Sequence, residues 1–99
     1  MDKIWLKSYP AGIPHTVDLE QYRSVAHLLE EAMAKHANHP FSVCMERWMS
    51  YGELDRESAA LGAWLQAQGL DPGARVAIML PNIPQFAVTM AAVLRAGYT

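Results

Sequence analysis

Cysteine is all but missing from this chain. Cys44 is the only one among 99 residues, so no intrachain disulfide can form, and a reducing, cytoplasmic setting is expected. Charge is also sparse, at 18% of residues with a formal net charge of −2. The basic residues stand singly along the chain, which removes the electrostatic case for nucleic acid or an anionic lipid surface as a partner. Neither GxGxxG nor GxxxxGK[ST] occurs, so the common phosphate-cradling loops are excluded. The opening MDKIWLKSYPAGIPHTVD has no continuous apolar core and is no secretory signal. Val76 to Leu94 carries no charge, yet Pro81, Asn82, Pro84 and Gln85 break it into pieces too short to span a membrane.

What remains is a globular composition, 52% hydrophobic, arranged in alternating helical and extended patterns. Met1 to Asp18, with Pro10, Gly12 and Pro14, reads as an extended arm whose Ile4, Trp5, Leu6 and Tyr9 are free to cover something larger. In Ser24 to Ala37, Val25, Leu28, Leu29, Ala32 and Met33 follow helical spacing, with Ser24 as N-cap. Asn38-His39-Pro40 stops that helix. Phe41 to Trp48 alternates as a strand with Phe41, Val43 and Met45 on one face, and a turn near Arg47 and Trp48 returns it as a hairpin through Met49.

Ser50-Tyr51-Gly52-Glu53 is a capping box that opens a helix to Gln68. Its expected buried stripe is Leu54, Ser58, Leu61, Trp64 and Leu65, with Gly69 and Leu70 closing it in a Schellman turn. Arg75 to Leu80 then reads as a strand buried on both faces. Pro81 to Pro84 turns the chain, with Asn82 as a cap, into an apolar helix from Gln85 to Ala96 that Gly97 ends. Helix, strand hairpin, helix, strand and helix in that order indicate α/β architecture with a right-handed crossover.

Few side chains invite chemistry. His36, His39 and Cys44 are three soft ligands without a fourth, and they read as polar residues around a helix end rather than a zinc site. Cys44 in mid-strand reads as a packing residue, since no base or helix N-terminus is in view to activate it. His15 and His27 have no carboxylate neighbour that would make either a general base. Glu30, Glu31, Asp55 and Glu57 fall on solvated helix faces. Leu80 to Pro84 has the strand-turn-helix topology that can hold an anion, but it lacks glycine and its prolines remove donors. Trp48, Tyr51 and Trp64 sit at spacings more typical of core than of base stacking.

Three motifs in order, Ser50-Tyr51-Gly52-Glu53-Leu54, Pro72-Gly73-Ala74-Arg75-Val76-Ala77 followed by Pro81-Asn82, and Leu94-Arg95-Ala96-Gly97, resemble the adenylate-forming (AMP-binding) synthetases. The opening MDKIWLKSYPAGIP is similar to the start of the bacterial long-chain fatty acyl-CoA synthetases. The resemblance implies an extended N-terminal arm over residues 1–23 and, over residues 24–99, an incomplete N-terminal α/β portion of the large adenylate-forming domain. It also implies a parent enzyme that activates a fatty acid with ATP and Mg2+ to an acyl-adenylate and passes the acyl group to coenzyme A. The family's phosphate loop, acidic ribose and magnesium ligands and catalytic lysine have no counterpart in these residues. No catalytic, cofactor-binding or metal residue is therefore carried over, and the piece alone is expected to be inactive and to bind none of these groups.

Its remaining expected partners are the rest of the enzyme chain, a second copy in a homodimer, and peripheral contact with the inner face of the cell membrane. With its last helix uncovered, the isolated piece is expected to self-associate. A free-standing α/β interaction module and a ligase for another acid are the competing readings.

Overall fold

The computed structural model describes residues 2–99; Met1, the first residue of the expected arm, lies outside the described residues. Within the arm, Ile4–Ser8 coil into a short 3-10 helix where extended chain was expected, and no residue of that turn is buried. From Tyr9 to Arg23 the chain is irregular and almost wholly exposed.

The body holds α1 (Val25–Lys35), β1 (Pro40–Cys44), β2 (Arg47–Ser50), α2 (Tyr51–Gln66) and α3 (Pro84–Arg95). Ser24 caps α1 by accepting from the His27 amide. Of the α1 stripe only Met33 is buried, because Val25 and Leu28 lie where no second layer covers them. β1 and β2 pair antiparallel in a two-stranded sheet.

The hairpin differs from expectation in two ways. Its turn is Met45-Glu46, both in the left-handed region, and not Arg47-Trp48, which belong to β2. A register shift between Pro40 and Ser42 leaves Phe41 without a partner and swaps the faces. Val43 and Trp48 therefore pair on the exposed face, while Ser42 and Cys44 are half-buried and Met49 is buried. A single inserted residue is enough, because strand side chains alternate with a period of two.

Two apolar clusters hold the helices together. Met33, Met49, Leu54, Val88 and Ala91 form the first, and Leu65, Val93 and Tyr98 the second. Met33 and Leu54 are each 1% exposed, and burial of such a side chain contributes about 1.5–3 kcal/mol. The α2 stripe is Leu54, Ser58, Gly62 and Leu65. Leu61 is half-buried against the second cluster as expected, whereas Gly62 takes the place expected of Trp64. A Cβ at Gly62 would lie 3.3 Å from the Ala92 carbonyl oxygen, tighter than ordinary packing, so the helix crossing would have to yield by a few tenths of an ångström to admit one. Trp64 is consequently turned out to solvent.

The Schellman turn closes α3 instead of α2. The Tyr98 amide donates to the Val93 carbonyl and the Gly97 amide to that of Leu94, with Gly97 at a φ of +86°. Tyr98 is thereby drawn under the helix against Val93 and Leu65. At the end of α2, Gln68 and Gly69 make only short-turn bonds and Leu70 is exposed.

Residues 74–80 are extended but are paired at one end only. Ala74, Val76 and Ile78 pack on the second cluster, while Arg75, Ala77 and Met79 face outward. The expectation of burial on both faces fails because no layer in residues 2–99 covers the second face; Met79 is 96% exposed. α3 begins at Pro84 with Ile83 as its N-cap, so Asn82 caps nothing.

Candidate functional site

A concavity lies where the hairpin meets the start of α3. It encloses about 400 Å3 and is lined by Cys44, Met45, Arg47, Met49, Glu57, Ile83, Pro84 and Gln85. A shallower cleft of about 280 Å3 shares Cys44, Ile83 and Pro84 and extends over Phe41 to Val43 and Asn82 to Ala87. Side by side they form a groove whose lining includes one cation, Arg47, and one anion, Glu57. Ser42 Oγ is buried beside it without a hydrogen-bond partner among the described residues. Cys44 is half-buried in the wall.

A nucleotide triphosphate needs convergent amides or cations, and a magnesium ion needs carboxylate oxygens. The start of α3 offers Ile83 at the N-cap without a side-chain bond and Pro84 as its first residue, a position with no N–H to give. Among the described residues no three His, Cys, Asp or Glu side chains gather as a metal set. These residues therefore do not fit ATP or Mg2+ on their own. His36 and His39 stack at 5.3 Å, with His36 against Tyr51, and Cys44 stands apart from both in the groove wall. Tyr51 packs edge-on against Phe41 at 5.1 Å, while Trp48 is exposed on the outer face of the hairpin.

The strongest polar constellation was not visible in the pattern of the sequence. Arg95 reaches from the end of α3 to both other helices. Its Nη1 donates to Ser58 Oγ at 2.7 Å and to the Asp55 carbonyl at 3.0 Å, its Nη2 pairs with Asp55 Oδ1 at 2.9 Å, and its Nε donates to Glu30 Oε1 at 3.3 Å. Asp55 and Glu30 are thus ion-paired rather than freely solvated. The signal that existed was Ser58, a hydroxyl in an otherwise apolar stripe. His27 also has a carboxylate close by, Glu31 at 4.0 Å, although its Nδ1 is taken by the Arg23 amide.

The capping box forms as expected. Ser50 Oγ accepts from the Glu53 amide at 3.1 Å, and Glu53 Oε2 accepts from the Ser50 amide at 2.8 Å. That bond to the Ser50 backbone, then the one to its side chain, with Arg56 and Arg47 nearby, holds the Glu53 carboxyl below its ordinary value. These residues position a capped helix, a three-helix ion cluster and a closed helix end.

Comparison with known proteins gives this scaffold a context. The family described as "AMP-binding enzyme" matches residues 29–99. The long-chain-fatty-acid–CoA ligase of Yersinia pestis is 40% identical over 98 residues, 98% of this chain and 17% of the relative. That of Escherichia coli O6:H1 is 39% identical over 98 residues, 98% of this chain and 18% of the relative. Triostin synthetase I of Streptomyces triostinicus is 40% identical over 75 residues, 76% of this chain and 14% of the relative. The chain thus spans about a sixth of the length of the curated relatives it matches. Among the described residues no helix is long and apolar enough to cross a membrane.

Proposed function

The chain belongs to the AMP-binding enzyme family, and from that premise we propose that it is the N-terminal part of a long-chain-fatty-acid–CoA ligase. The parent reaction joins a fatty acid carboxylate to the AMP moiety of ATP with release of pyrophosphate, and the coenzyme A thiol then displaces AMP. Magnesium and coenzyme A enter on the same footing, as requirements of the whole enzyme. Residues 24–99 serve as an incomplete α/β portion of its large domain and residues 1–23 as an arm. The observation that carries this reading is the reach of the ligase matches, which cover 98% of this chain with the arm included. The exposed Ile4, Trp5, Ile13, Val17 and Leu19 of that arm are the residues available to lie on the rest of the enzyme or on the inner membrane face of the cytoplasm.

A second reading, a ligase for another acid, draws on the equal identity to Triostin synthetase I over the shorter span. One experiment separates them. A protein carrying the full coding sequence is incubated with ATP, Mg2+, coenzyme A and, in parallel, palmitate, acetate or benzoate, and acyl-CoA and AMP are measured. Palmitoyl-CoA from the long protein, with neither product nor an ATP-induced thermal shift from residues 1–99, is the expected result. Preference for benzoate or acetate moves the assignment to the second reading. An ATP-induced shift in residues 1–99 overturns the view that this part is scaffold.

A further inference from the structure

We propose that His36 and His39 form an open two-imidazole site for a divalent transition-metal ion that favours nitrogen ligands: Cu2+, Ni2+ or Zn2+. The two rings stand 5.3 Å apart between centroids, with their planes 33° from parallel. A metal held about 2.0–2.1 Å from an imidazole nitrogen lies roughly 3.2 Å from that ring's centre, so two rings sharing it at a tetrahedral angle are about 5.2 Å apart. The pair already stands at the distance of a shared ion. His36 is half-buried against Tyr51 at 5.9 Å, while His39 is exposed and turns its ring without losing packing.

Three observations independent of that distance agree. First, the turn that carries the pair is clamped. The His39 amide donates to the His36 carbonyl at 2.8 Å, the Tyr51 amide to that of His39 at 3.1 Å, and the Gly52 amide to that of Ala37 at 2.8 Å. A Cβ at Gly52 would lie 3.0 Å from the Ala37 oxygen, so the turn is pressed against the start of α2. Second, the lone pairs are open. Neither imidazole hydrogen-bonds to another described residue, and Ser42 Oγ is the only buried side-chain nitrogen or oxygen among those residues left without a partner. His27 differs, since its Nδ1 accepts from the Arg23 amide. Third, His36 is the C-cap of α1, where the negative end of the helix dipole favours a cation. Lys35 in that last turn is exposed, so its charge is screened by solvent. Two protein ligands do not make a closed structural zinc centre, which takes four. They leave the other positions to water, and the bound ion exchangeable.

Calorimetric titration of the tag-free, full-length protein with Zn2+, in excess Mg2+ to fill oxygen-ligand sites, tests the pair. One equivalent of zinc is expected to bind at least about tenfold more weakly in His36→Phe and in His39→Gln, because either change removes the high local concentration of a second ligand. Phenylalanine keeps an aromatic ring against Tyr51, so loss of binding there is not loss of packing. His15→Gln is expected to bind as the parent does. With Cu2+ as the probe, electron paramagnetic resonance should show nitrogen couplings from two imidazoles in the parent and from one in His39→Gln. No zinc bound by the parent, undiminished affinity in either variant, or unchanged nitrogen couplings in His39→Gln each overturns the site. The inference stands or falls whichever acid the parent enzyme activates.

Discussion

Arg95 Nη1 lies 2.7 Å from the Oγ of Ser58, a residue with no exposed surface. The hydroxyl in turn donates to the Asp55 carbonyl at 3.2 Å, so one guanidinium fixes a serine, a carboxylate and a main-chain oxygen of α2 from the end of α3. Arg95→Ala leaves Ser58 Oγ buried with half its partners gone and is expected to cost about 2–3 kcal/mol. Arg95→Lys should recover less than half of that, because an ammonium cannot serve three acceptors in the plane of a fork. Urea unfolding of the three proteins measures both steps; a lysine variant as stable as the parent would reduce the cluster to a simple charge contact.

The helices were legible because each carries its own instructions: Ser24 and the Ser50-Glu53 pair as caps, and apolar spacing at Met33, Leu54, Leu65 and Val88. What the sequence hid depends on partners distant along the chain. The place of Gly62 is set by Ala92, and the role of Arg95 by two helices thirty or more residues earlier. The faces of β1 were misread because a single unpaired residue, Phe41, inverts an alternation that is otherwise clear. Val76 to Leu80 reads as doubly buried because its composition anticipates a neighbour that residues 2–99 do not supply. The candidate groove was invisible for the same reason, since Arg47, Glu57 and Gln85 come to line one concavity only after the hairpin packs beside α2 and α3.

The capping box makes stability depend on pH in a stated direction. Glu53 titrates below its ordinary value of 4.5 in the folded chain, chiefly because it accepts from the Ser50 amide. A depressed folded value means a contribution that is fully present above the unfolded value and is lost as pH falls through the folded one. Thermal melts between pH 7 and 3 should therefore show a loss beginning near pH 4.5 that is smaller in Glu53→Gln. Ser50→Ala should cost about 1 kcal/mol at neutral pH. Identical pH profiles for parent and Glu53→Gln would mean that the reach-back bond carries no net stability.

Gly97 carries the Schellman turn that draws Tyr98 beneath α3. A Cβ at this position would touch nothing within 4 Å, so any effect of substitution comes from its φ of +86° and not from crowding. Gly97→Ala is expected to cost about 1–2 kcal/mol. It should also quicken exchange of the Tyr98 amide, which loses its bond to Val93. A neutral alanine would show that the turn relaxes without penalty and that Tyr98 is anchored by packing alone.

The hairpin tip invites the opposite experiment, a stabilising one. Met45 and Glu46 adopt φ values of +48° and +65°, the mirror-image turn that matches the twist of a two-residue hairpin but suits glycine and asparagine. Met45 is 96% exposed, so its side chain contributes no packing that would offset the left-handed backbone. Replacing the pair by Asn-Gly keeps the turn and should raise stability by about 1 kcal/mol, given a cost of roughly 1–2 kcal/mol for each such residue and the entropy glycine returns to the unfolded chain. The control is Pro-Asp at the same two positions: proline fixes φ near −65°, and should break the pairing of Cys44 with Arg47. If Asn-Gly lowers the melting temperature while the Cys44 and Arg47 amides stay protected, the native pair is held by something other than turn geometry. Contact of Met45 with the groove it lines would then be the interaction to measure.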